Sequence, residues 1–183
     1  MSRLSFASIA LVVGLAGCAD DPFAPPQTIE PQLAHVGAGV NPVVESATGS
    51  GHRVRNDRPL VFAFQASRRL DGSTTGRYYL DWQDLGPALG HARLQVEVDV
   101  TCMSVRDNIA WVAGIIVSVD GPLAREGTVS YFYVIDNGPG ATDEISGLRL
   151  NDVDGEDRVF CEQQPLLLGR TPIERGNAEV RSH

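Results

Sequence analysis

Two short acidic stretches, residues 136–144 and 152–157, carry the oxygen ligands that hard cations such as calcium prefer. The candidate ligands are the aspartates of these stretches: Asp136, Asp143, Asp152, Asp154 and Asp157. The second stretch lacks EF-hand spacing, because its glycine stands at the fourth position and no glutamate stands at the twelfth. The first stretch contains Asn-Gly and Pro-Gly pairs, which are typical of tight turns. We therefore favour solvated loops and keep calcium as the alternative; no other cofactor is predicted.

A serine and a histidine lie close together in the sequence, as the nucleophile and base of a hydrolase would. Ser50 and His52 are two residues apart, but the segment Gly49 to His52 is not the Gly-x-Ser-x-Gly motif of a nucleophile elbow. Two of the other histidines, His35 and His183, stand near the predicted flexible ends of the chain. We predict no catalytic residue and interpret His52 as an exposed strand residue.

Aromatic side chains offer a third kind of chemistry, because their rings stack against sugars and against protein surfaces. Most of the larger ones fall in apparent strands: Tyr78, Tyr79, Trp82, Trp111, Tyr131, Phe132 and Tyr133. Successive residues of a strand face opposite sides of the sheet, so about half of these rings are expected in the core. The remainder could form an exposed binding face.

The amino-terminal residues predict export and lipidation. Arg3 precedes an apolar run of about a dozen residues, which suits a signal peptide over residues 1–17 and is too short to span a membrane. Leu15-Ala16-Gly17-Cys18 resembles the bacterial lipobox, in which the cysteine receives a diacylglyceryl group and becomes the first residue. The resemblance implies a membrane anchor at Cys18. Ala19 follows in place of the aspartate that retains enterobacterial lipoproteins at the inner membrane, so we expect the outer membrane where the host has one.

The composition excludes nucleic acid as an expected partner. The formal net charge is −8, and removing residues 1–17 takes away Arg3 alone, which leaves −9. The chain contains no lysine, and its arginines are scattered. Nucleic-acid binding depends on clustered cations that neutralise phosphates. The expected partners are the membrane, through the lipid anchor, and an envelope protein or glycan.

Cys102 and Cys161 are the thiols that remain once Cys18 is lipidated. Two thiols in an oxidising compartment usually pair, and we expect a disulfide here rather than two free thiols. Closing a loop of roughly 60 residues would stabilise the fold by about 4 kcal/mol on the chain-entropy model.

Patterning divides the exported chain into a tether over residues 18–46 and one domain over residues 47–183. The tether is rich in proline and poor in large apolar residues. The clearest strand of the domain runs from Arg93 to Cys102 and places Leu94, Val96, Val98, Val100 and Cys102 on one buried face. About seven to eight such strands, separated by turns, predict an all-β antiparallel sandwich or small barrel. No amphipathic helix is predicted after the signal peptide.

Several segments of the domain resemble a family of uncharacterised secreted bacterial proteins. They are Thr48-Gly49-Ser50-Gly51-His52, Phe62-x-Phe64-x-Ala66, Asp99-Val100-Thr101-Cys102, Asn108-x-Ala110-Trp111, Asp136-Asn137-Gly138 and Gly176-Asn177. The core hairpins are more remotely similar to post-COAP-type β-modules. These residues are turn glycines, strand residues and a cysteine, so the resemblance implies a fold and carries over no catalytic or binding residue.

The sequence therefore predicts a membrane-anchored extracytoplasmic lipoprotein whose β-domain has a non-enzymatic binding or envelope-structural role. The alternative is a small-ligand carrier with a β-barrel cavity. In that case Phe62, Val96, Val98 and Ile115 would line open space rather than fill it. A hydrolase of envelope polymers is the third hypothesis.

Overall fold

A computed structural model of the chain describes residues 41–151, 155–167 and 169–183. The predicted signal peptide, the lipidation residue Cys18 and most of the predicted tether lie outside these residues. The strands are β1 Val43–Arg55, β2 Arg58–Arg69, β3 Thr74–Trp82, β4 Leu94–Arg106, β5 Ile109–Asp120, β6 Val129–Ile135, β7 Glu144–Ile145, β8 Arg149–Asn151, β9 Thr171–Pro172 and β10 Arg175–Ser182. Helix α1 spans Glu156–Gln163, and a 3-10 turn spans Pro87–Leu89.

The strands form one antiparallel sheet in the order β10-β1-β2-β3-β4-β5-β6-β7-β9, and β8 also pairs with β6. The sheet is curled into a half-barrel, which confirms the all-β prediction as a single curved sheet instead of two packed sheets. The segment 171–182 joins the two ends of the strand order, because β9 pairs with β7 and β10 pairs with β1. The described residues form ten strands where seven to eight were predicted. Strands β7 and β9, at two residues each, are too short to produce a pattern.

The concave face of the sheet holds the main core. Phe62, Phe64 and Ala66 of β2 are buried there, as are Leu94, Val96, Val98 and Val100 of β4, in agreement with their predicted alternation. Aromatic rings fill the centre, with the Phe132 ring edge-on to Phe64 and Tyr78 at centroid distances of 5.4 and 5.1 Å. The Tyr78 hydroxyl donates to the Ser130 carbonyl at 2.7 Å, so its one polar group is satisfied inside the core.

A β-bulge at Thr101 places Cys102 on a different face from the one predicted. Val100 pairs with Gly114 and Cys102 pairs with Ala113, which leaves Thr101 as an extra residue. The extra residue reverses the side-chain alternation, because the period of a strand is two. Cys102 therefore belongs to a second, smaller core on the convex face, while Met103 returns to the main core.

Helix α1 covers the second core and corrects the prediction that no helix follows the signal peptide. Phe160 and Cys161 are its buried residues, and they pack with Trp111 and Tyr133 of β5 and β6. A disulfide joins Cys161 to Cys102, with a Cα–Cα distance of 6.3 Å. In the part of the chain that the structure describes, no helix has the length and hydrophobicity needed to cross a membrane.

Strand β1 begins at Val43, four residues before the predicted domain boundary at residue 47. Glu45, inside the predicted tether, is buried and accepts a hydrogen bond of 2.8 Å from Arg68 Nε. Strand β1 also pairs with β10 so that Glu45 lies opposite Ser182, and the His183 N–H donates to the Val44 carbonyl at 2.9 Å. The amino-terminal end of β1 and the carboxyl-terminal end of β10 therefore lie side by side.

Candidate functional site

Asp136 and Asp143, two of the calcium candidates, lie beside the free edge of β10. The carboxylate of Asp143 accepts the Ala178 N–H at 2.8 Å, and that of Asp136 accepts the Val180 N–H at 3.0 Å. Their second oxygens accept the N–H groups of Asn137 and Gly138, each at 2.9 Å. We call this pair the aspartate clasp. All four of its carboxylate oxygens accept hydrogen bonds from backbone N–H groups. Two of these N–H groups belong to β10, an edge strand, and would lack a partner on this side without the clasp.

The other calcium candidates fall in or near the acidic loop before α1. Asp152 and Asp154 lie outside the described residues. Asp157 is in the first turn of α1, where its carboxylate accepts a hydrogen bond from the Thr101 hydroxyl. Within residues 41–151, 155–167 and 169–183, no group of three or more histidine, cysteine, aspartate or glutamate side chains is placed to hold a metal ion.

His52 lies on β1 and faces Glu174, with 3.6 Å between Nδ1 and the nearest carboxylate oxygen. Its ring is partly exposed, as its interpretation as a surface strand residue predicted. Among the described residues, no hydrogen bond joins the Ser50 hydroxyl to His52, whose Nδ1 faces Glu174 instead.

The aromatic residues divide between core and surface as expected of strand positions. Tyr78, Trp111, Phe132 and Tyr133 are buried. Tyr79, Trp82 and Tyr131 are only partly buried, and they do not share one face. Tyr131 packs on Phe160 beneath α1, with 4.5 Å between ring centroids. Tyr79 lies on the convex side, where its hydroxyl accepts a hydrogen bond from Gln95.

Trp82 lines a cleft at the end of the sheet where β1 turns into β2. The cleft has a volume of about 230 Å³. Its described lining residues are Arg53, Asn56, Arg58, Leu60, Trp82, Leu85, Gly147 and Leu148. We call it the arginine cleft. It combines two guanidinium groups with an aromatic ring and three leucines, so charged and apolar groups line one concave site.

The two arginines come together because of the register of the β1–β2 hairpin. Arg53 pairs with Leu60, which is buried in the main core, and Arg58 is two residues before Leu60 on β2. Alternation therefore places Arg53 and Arg58 on the same, concave face as diagonal neighbours. The turn residues Asn56 and Asp57 adopt positive φ values of 52° and 58°, which asparagine and aspartate tolerate better than most residues. This turn fixes the position of both cations.

Each guanidinium is held in a different way. Arg53 is 5% exposed, and its Nη1 donates to the Thr171 hydroxyl at 3.1 Å, so its head group is fixed at the base of the cleft. Arg58 is exposed and lies against Gly86, where a Cβ atom would come within 2.6 Å of Nη2. Gly86 also has a φ of 86°, a left-handed conformation that favours glycine.

An acidic side chain of this region, Asp84, lies on the loop that carries Gly86. Its carboxylate contacts His91 Nδ1 at 2.9 Å and accepts the Gly86 N–H at 2.6 Å. The hydrogen bond with His91, followed by the one from Gly86, lowers the pKa of Asp84. No ion pair within 4.0 Å involves Arg58 in the described part of the chain. The positive charge of Arg58 also lowers the pKa of Asp84, so these two groups interact electrostatically without a direct ion pair.

Comparison of the chain with protein-family models, curated proteins and solved structures finds no match. Function must therefore be argued from the site itself.

Sequence reasoning did not identify the arginine cleft. Arg53 and Arg58 stand in a charged, turn-like stretch that is typical of a solvated loop, and Leu148 comes from a distant part of the chain. The one local signal was the Asn-Asp pair at 56–57, which predicts a tight hairpin. Such a hairpin would have placed the flanking arginines on one face.

Proposed function

We propose that this protein is a lipid-anchored extracytoplasmic binding module that holds a small ligand in the arginine cleft without transforming it. The observation that supports a binding role is the convergence of Arg53, Arg58 and Trp82 in one concave site. Charged and aromatic side chains that converge in a concave site are the usual starting hypothesis for a binding site.

The location rests on the amino-terminal sequence. The lipobox-like segment at Leu15 to Cys18 supports a diacylglyceryl anchor, and two acyl chains suffice for stable membrane attachment. Ala19 supports sorting to the outer membrane in a host that has one. The similarity to secreted β-modules stays a prediction.

The filled core argues against a carrier that holds its ligand inside the half-barrel. Phe62, Val96 and Val98 are buried in one continuous cluster. Ile116 fills the position expected for Ile115, because Val98 pairs with Ile116. A ligand therefore fits the surface cleft better than the interior.

The anchor is tested by expressing the full chain in a bacterium and measuring the mass of the mature amino terminus. We expect a diacylglyceryl cysteine at position 18, and we expect Cys18→Ser to release the protein from the membrane fraction. A control variant, Cys102→Ser with Cys161→Ser, should remain membrane-bound. An unmodified amino terminus beginning at Met1 would contradict the proposal.

Binding is tested on the full chain carrying Cys18→Ser, with a library of small molecules and ¹H–¹⁵N spectra as the readout. The chain has two tryptophans, and the Trp111 indole is buried and donates to the Pro165 carbonyl. Ligands in the arginine cleft should move the indole signal of Trp82 and leave that of Trp111 in place. Mass spectrometry after prolonged incubation should recover each ligand unchanged. A chemically converted ligand, or ligands that move neither indole, would contradict a binding module at this site.

A further inference from the structure

We infer that the convex face of strands β10, β1, β2 and β3 binds a neutral polysaccharide chain. This surface is distinct from the arginine cleft, so the inference goes beyond the proposed function. It is carried by a block of uncharged hydrogen-bonding side chains that lies beside the ring of Tyr79, in a chain that is otherwise strongly acidic.

Six uncharged polar side chains lie together on these four neighbouring strands. They form three cross-strand pairs: Thr48 with Gln65, Ser50 with Asn177, and Ser67 with Thr75. Residues directly opposite each other in a sheet point to the same side, as do residues two apart on one strand. The adjacent residues Ala47, Phe64 and Ala66 are buried in the main core, so the six side chains point outward from the convex side. We call this surface the hydroxyl face.

The charged groups at the border of the hydroxyl face neutralise one another. On β10, Arg181 Nε donates to the Glu179 carboxylate at 2.9 Å. On β3 and β4, Arg77 Nε donates to the Asp99 carboxylate at 3.0 Å. Binding of a polyanion such as a nucleic acid depends instead on clustered cations that neutralise its phosphates. Charge complementarity therefore favours a neutral partner for this face.

The side chains of the hydroxyl face match the chemistry of a polyhydroxylated ligand. Hydroxyl and amide side chains both donate and accept hydrogen bonds, as sugar hydroxyls do. Five of the six side chains are exposed and Ser67 is half-buried, so their polar groups are accessible from solvent. The cores of protein interfaces are instead more apolar, with serine depleted and aromatic residues enriched. A neutral sugar chain thus fits this surface better than a protein does.

The ring of Tyr79 adds a stacking surface beside the hydroxyl face. It lines an open depression together with residues that include Ala63, Arg77 and Glu97. Ala63 lies directly opposite Tyr79, and its short side chain leaves room beside the ring. The Tyr79 hydroxyl accepts a hydrogen bond of 2.7 Å from Gln95, which holds the ring in place. Because aromatic rings stack on the apolar face of sugars, the depression suits one sugar unit of the chain.

The dimensions of the surface favour a chain over a single sugar. One row across the four strands consists of Asn177, Ser50, Ala63 and Tyr79. Neighbouring strands lie about 4.8 Å apart, so this row spans about 14 Å. A single sugar contacts either the Tyr79 ring or the side chains of β1 and β10, whereas an oligosaccharide contacts both.

The test uses the full chain carrying Cys18→Ser, with calorimetry and ¹H–¹⁵N spectra as the readouts. The neutral probes are maltohexaose, cellohexaose and chitohexaose, the acidic probe is hexagalacturonate, and the single sugars are glucose and N-acetylglucosamine. We expect at least one neutral hexasaccharide to bind at least about tenfold more tightly than the acidic hexasaccharide and than either single sugar. Its binding should move the backbone signals of Ser50, Gln65 and Tyr79 and leave the Trp82 indole signal in place.

Thr48→Arg should weaken the binding of that hexasaccharide by at least about tenfold, because a long charged side chain covers the neighbouring groups of the hydroxyl face. Tyr79→Leu keeps an apolar side chain without the ring and should weaken binding by at least about threefold. The matched control is Thr142→Arg, at an exposed residue of the β6–β7 loop outside the hydroxyl face, which should leave the affinity unchanged. Thr48 and Thr142 are both exposed, so both arginine variants should keep the wild-type circular dichroism spectrum.

Several outcomes would overturn the inference. One is that none of the neutral hexasaccharides binds, or that the acidic one binds as tightly. Another is that Thr48→Arg keeps the wild-type affinity. A sugar that moves the Trp82 indole signal and none of the signals of the hydroxyl face would be a ligand of the arginine cleft. Signals of the hydroxyl face that move with protein concentration alone would assign this face to a second copy of the chain.

Discussion

Asp136 and Asp143 use all four carboxylate oxygens to accept backbone N–H groups, which gives two loop residues a role in holding an edge strand. The donors on β10, Ala178 and Val180, lie on the side of the strand that faces away from β1. A carboxylate accepts such bonds more strongly than a neutral group does, because the bonds are charge-assisted. The aspartate clasp therefore substitutes for a missing neighbouring strand.

Asp143→Asn should destabilise the domain by about 1–3 kcal/mol, since it replaces one accepting oxygen of a buried carboxylate with an amide donor that faces another donor. Equilibrium urea unfolding measures the change. The control is Glu126→Gln, an exposed residue of the β5–β6 loop, which should stay within about 0.5 kcal/mol of wild type. A loss equal to that of the control would show that the clasp contributes nothing.

Asp71 makes the stability of the β2–β3 hairpin depend on pH. Hydrogen bonds from Ser73 and Asn41 lower its pKa from 3.8 to about 2. A carboxyl whose pKa is lowered by folding stabilises the native state above its unfolded pKa, and that contribution is lost as the pH falls through the folded value. We expect the stabilisation to be complete above about pH 4 and to disappear towards pH 2.

Asp71→Asn should make the unfolding free energy depend less on pH between pH 4 and 2. Urea unfolding at each pH measures this dependence. Gln83→Ala, at an exposed residue without a titratable group, is the control and should keep the wild-type slope. Equal slopes for wild type and Asp71→Asn would remove the proposed role of the Asp71 carboxylate.

At the scale of elements, helix α1 depends on the disulfide for its place on the sheet. The helix has eight residues and buries only Phe160 and Cys161, so isolated helix formation would be unfavourable. Cys102–Cys161 closes a loop with a sequence separation of 59 residues, which corresponds to a stabilisation of about 4 kcal/mol.

Reducing the disulfide should lower the unfolding free energy by about 2–5 kcal/mol and expose Trp111, because α1 then separates from the convex face. A red shift of tryptophan emission and a lower urea midpoint would report these changes. The double variant Cys102→Ser, Cys161→Ser should show the same loss and no further response to reductant. An intact emission spectrum after complete reduction would show that packing alone holds α1.

Sequence patterns predicted the elements whose burial is regular and failed where a local irregularity decides the structure. The alternation of β4 predicted its buried face correctly up to Val100, and the bulge at Thr101 reversed it for Cys102. Strand β1 gave no apolar alternation because its inward positions include Gly49 and Gly51. A Cβ atom there would come within 2.6 Å of the Phe64 ring and 2.5 Å of the Arg175 carbonyl, respectively. Close packing therefore requires glycine at these two positions, although glycine in a sequence usually indicates a turn or loop.

The candidate site was even less accessible to sequence reasoning. The calcium candidates were chosen by residue type, yet Asp136 and Asp143 are occupied with backbone donors. The arginine cleft, in contrast, arises from hairpin register and from the approach of Leu148 in three dimensions. Neither cause leaves a pattern in composition or spacing.

At the scale of the whole molecule, β10 is the element that completes the sheet. It pairs with β1 over eight residues, from Arg175 opposite His52 to Ser182 opposite Glu45, and it supplies the two donors of the aspartate clasp. Without it, β1 would become a long unpaired edge, and Ala178 would no longer cover the main core.

Deleting residues 175–183 should therefore abolish the cooperative unfolding transition and leave a chain that is rapidly cleaved by protease. Deleting His183 alone removes one backbone bond, to Val44, and should keep the transition with a small loss of stability. Circular dichroism during heating and limited proteolysis measure both variants. A sharp transition in the longer deletion would show that the other strands form the domain unaided.

The pairing of β1 with β10 brings Val43 and Ser182 to one end of the sheet, and the β1–β2 turn carries Arg58 to the other. Along β1, the ten residue steps from Val43 to Arg53 span roughly 33 Å. A sensor chip coupled through a tag after His183 would therefore hold the domain by the end remote from the arginine cleft. Analyte in the flow would reach Trp82 from the open side, and an affinity measured in that orientation would match the one measured in free solution.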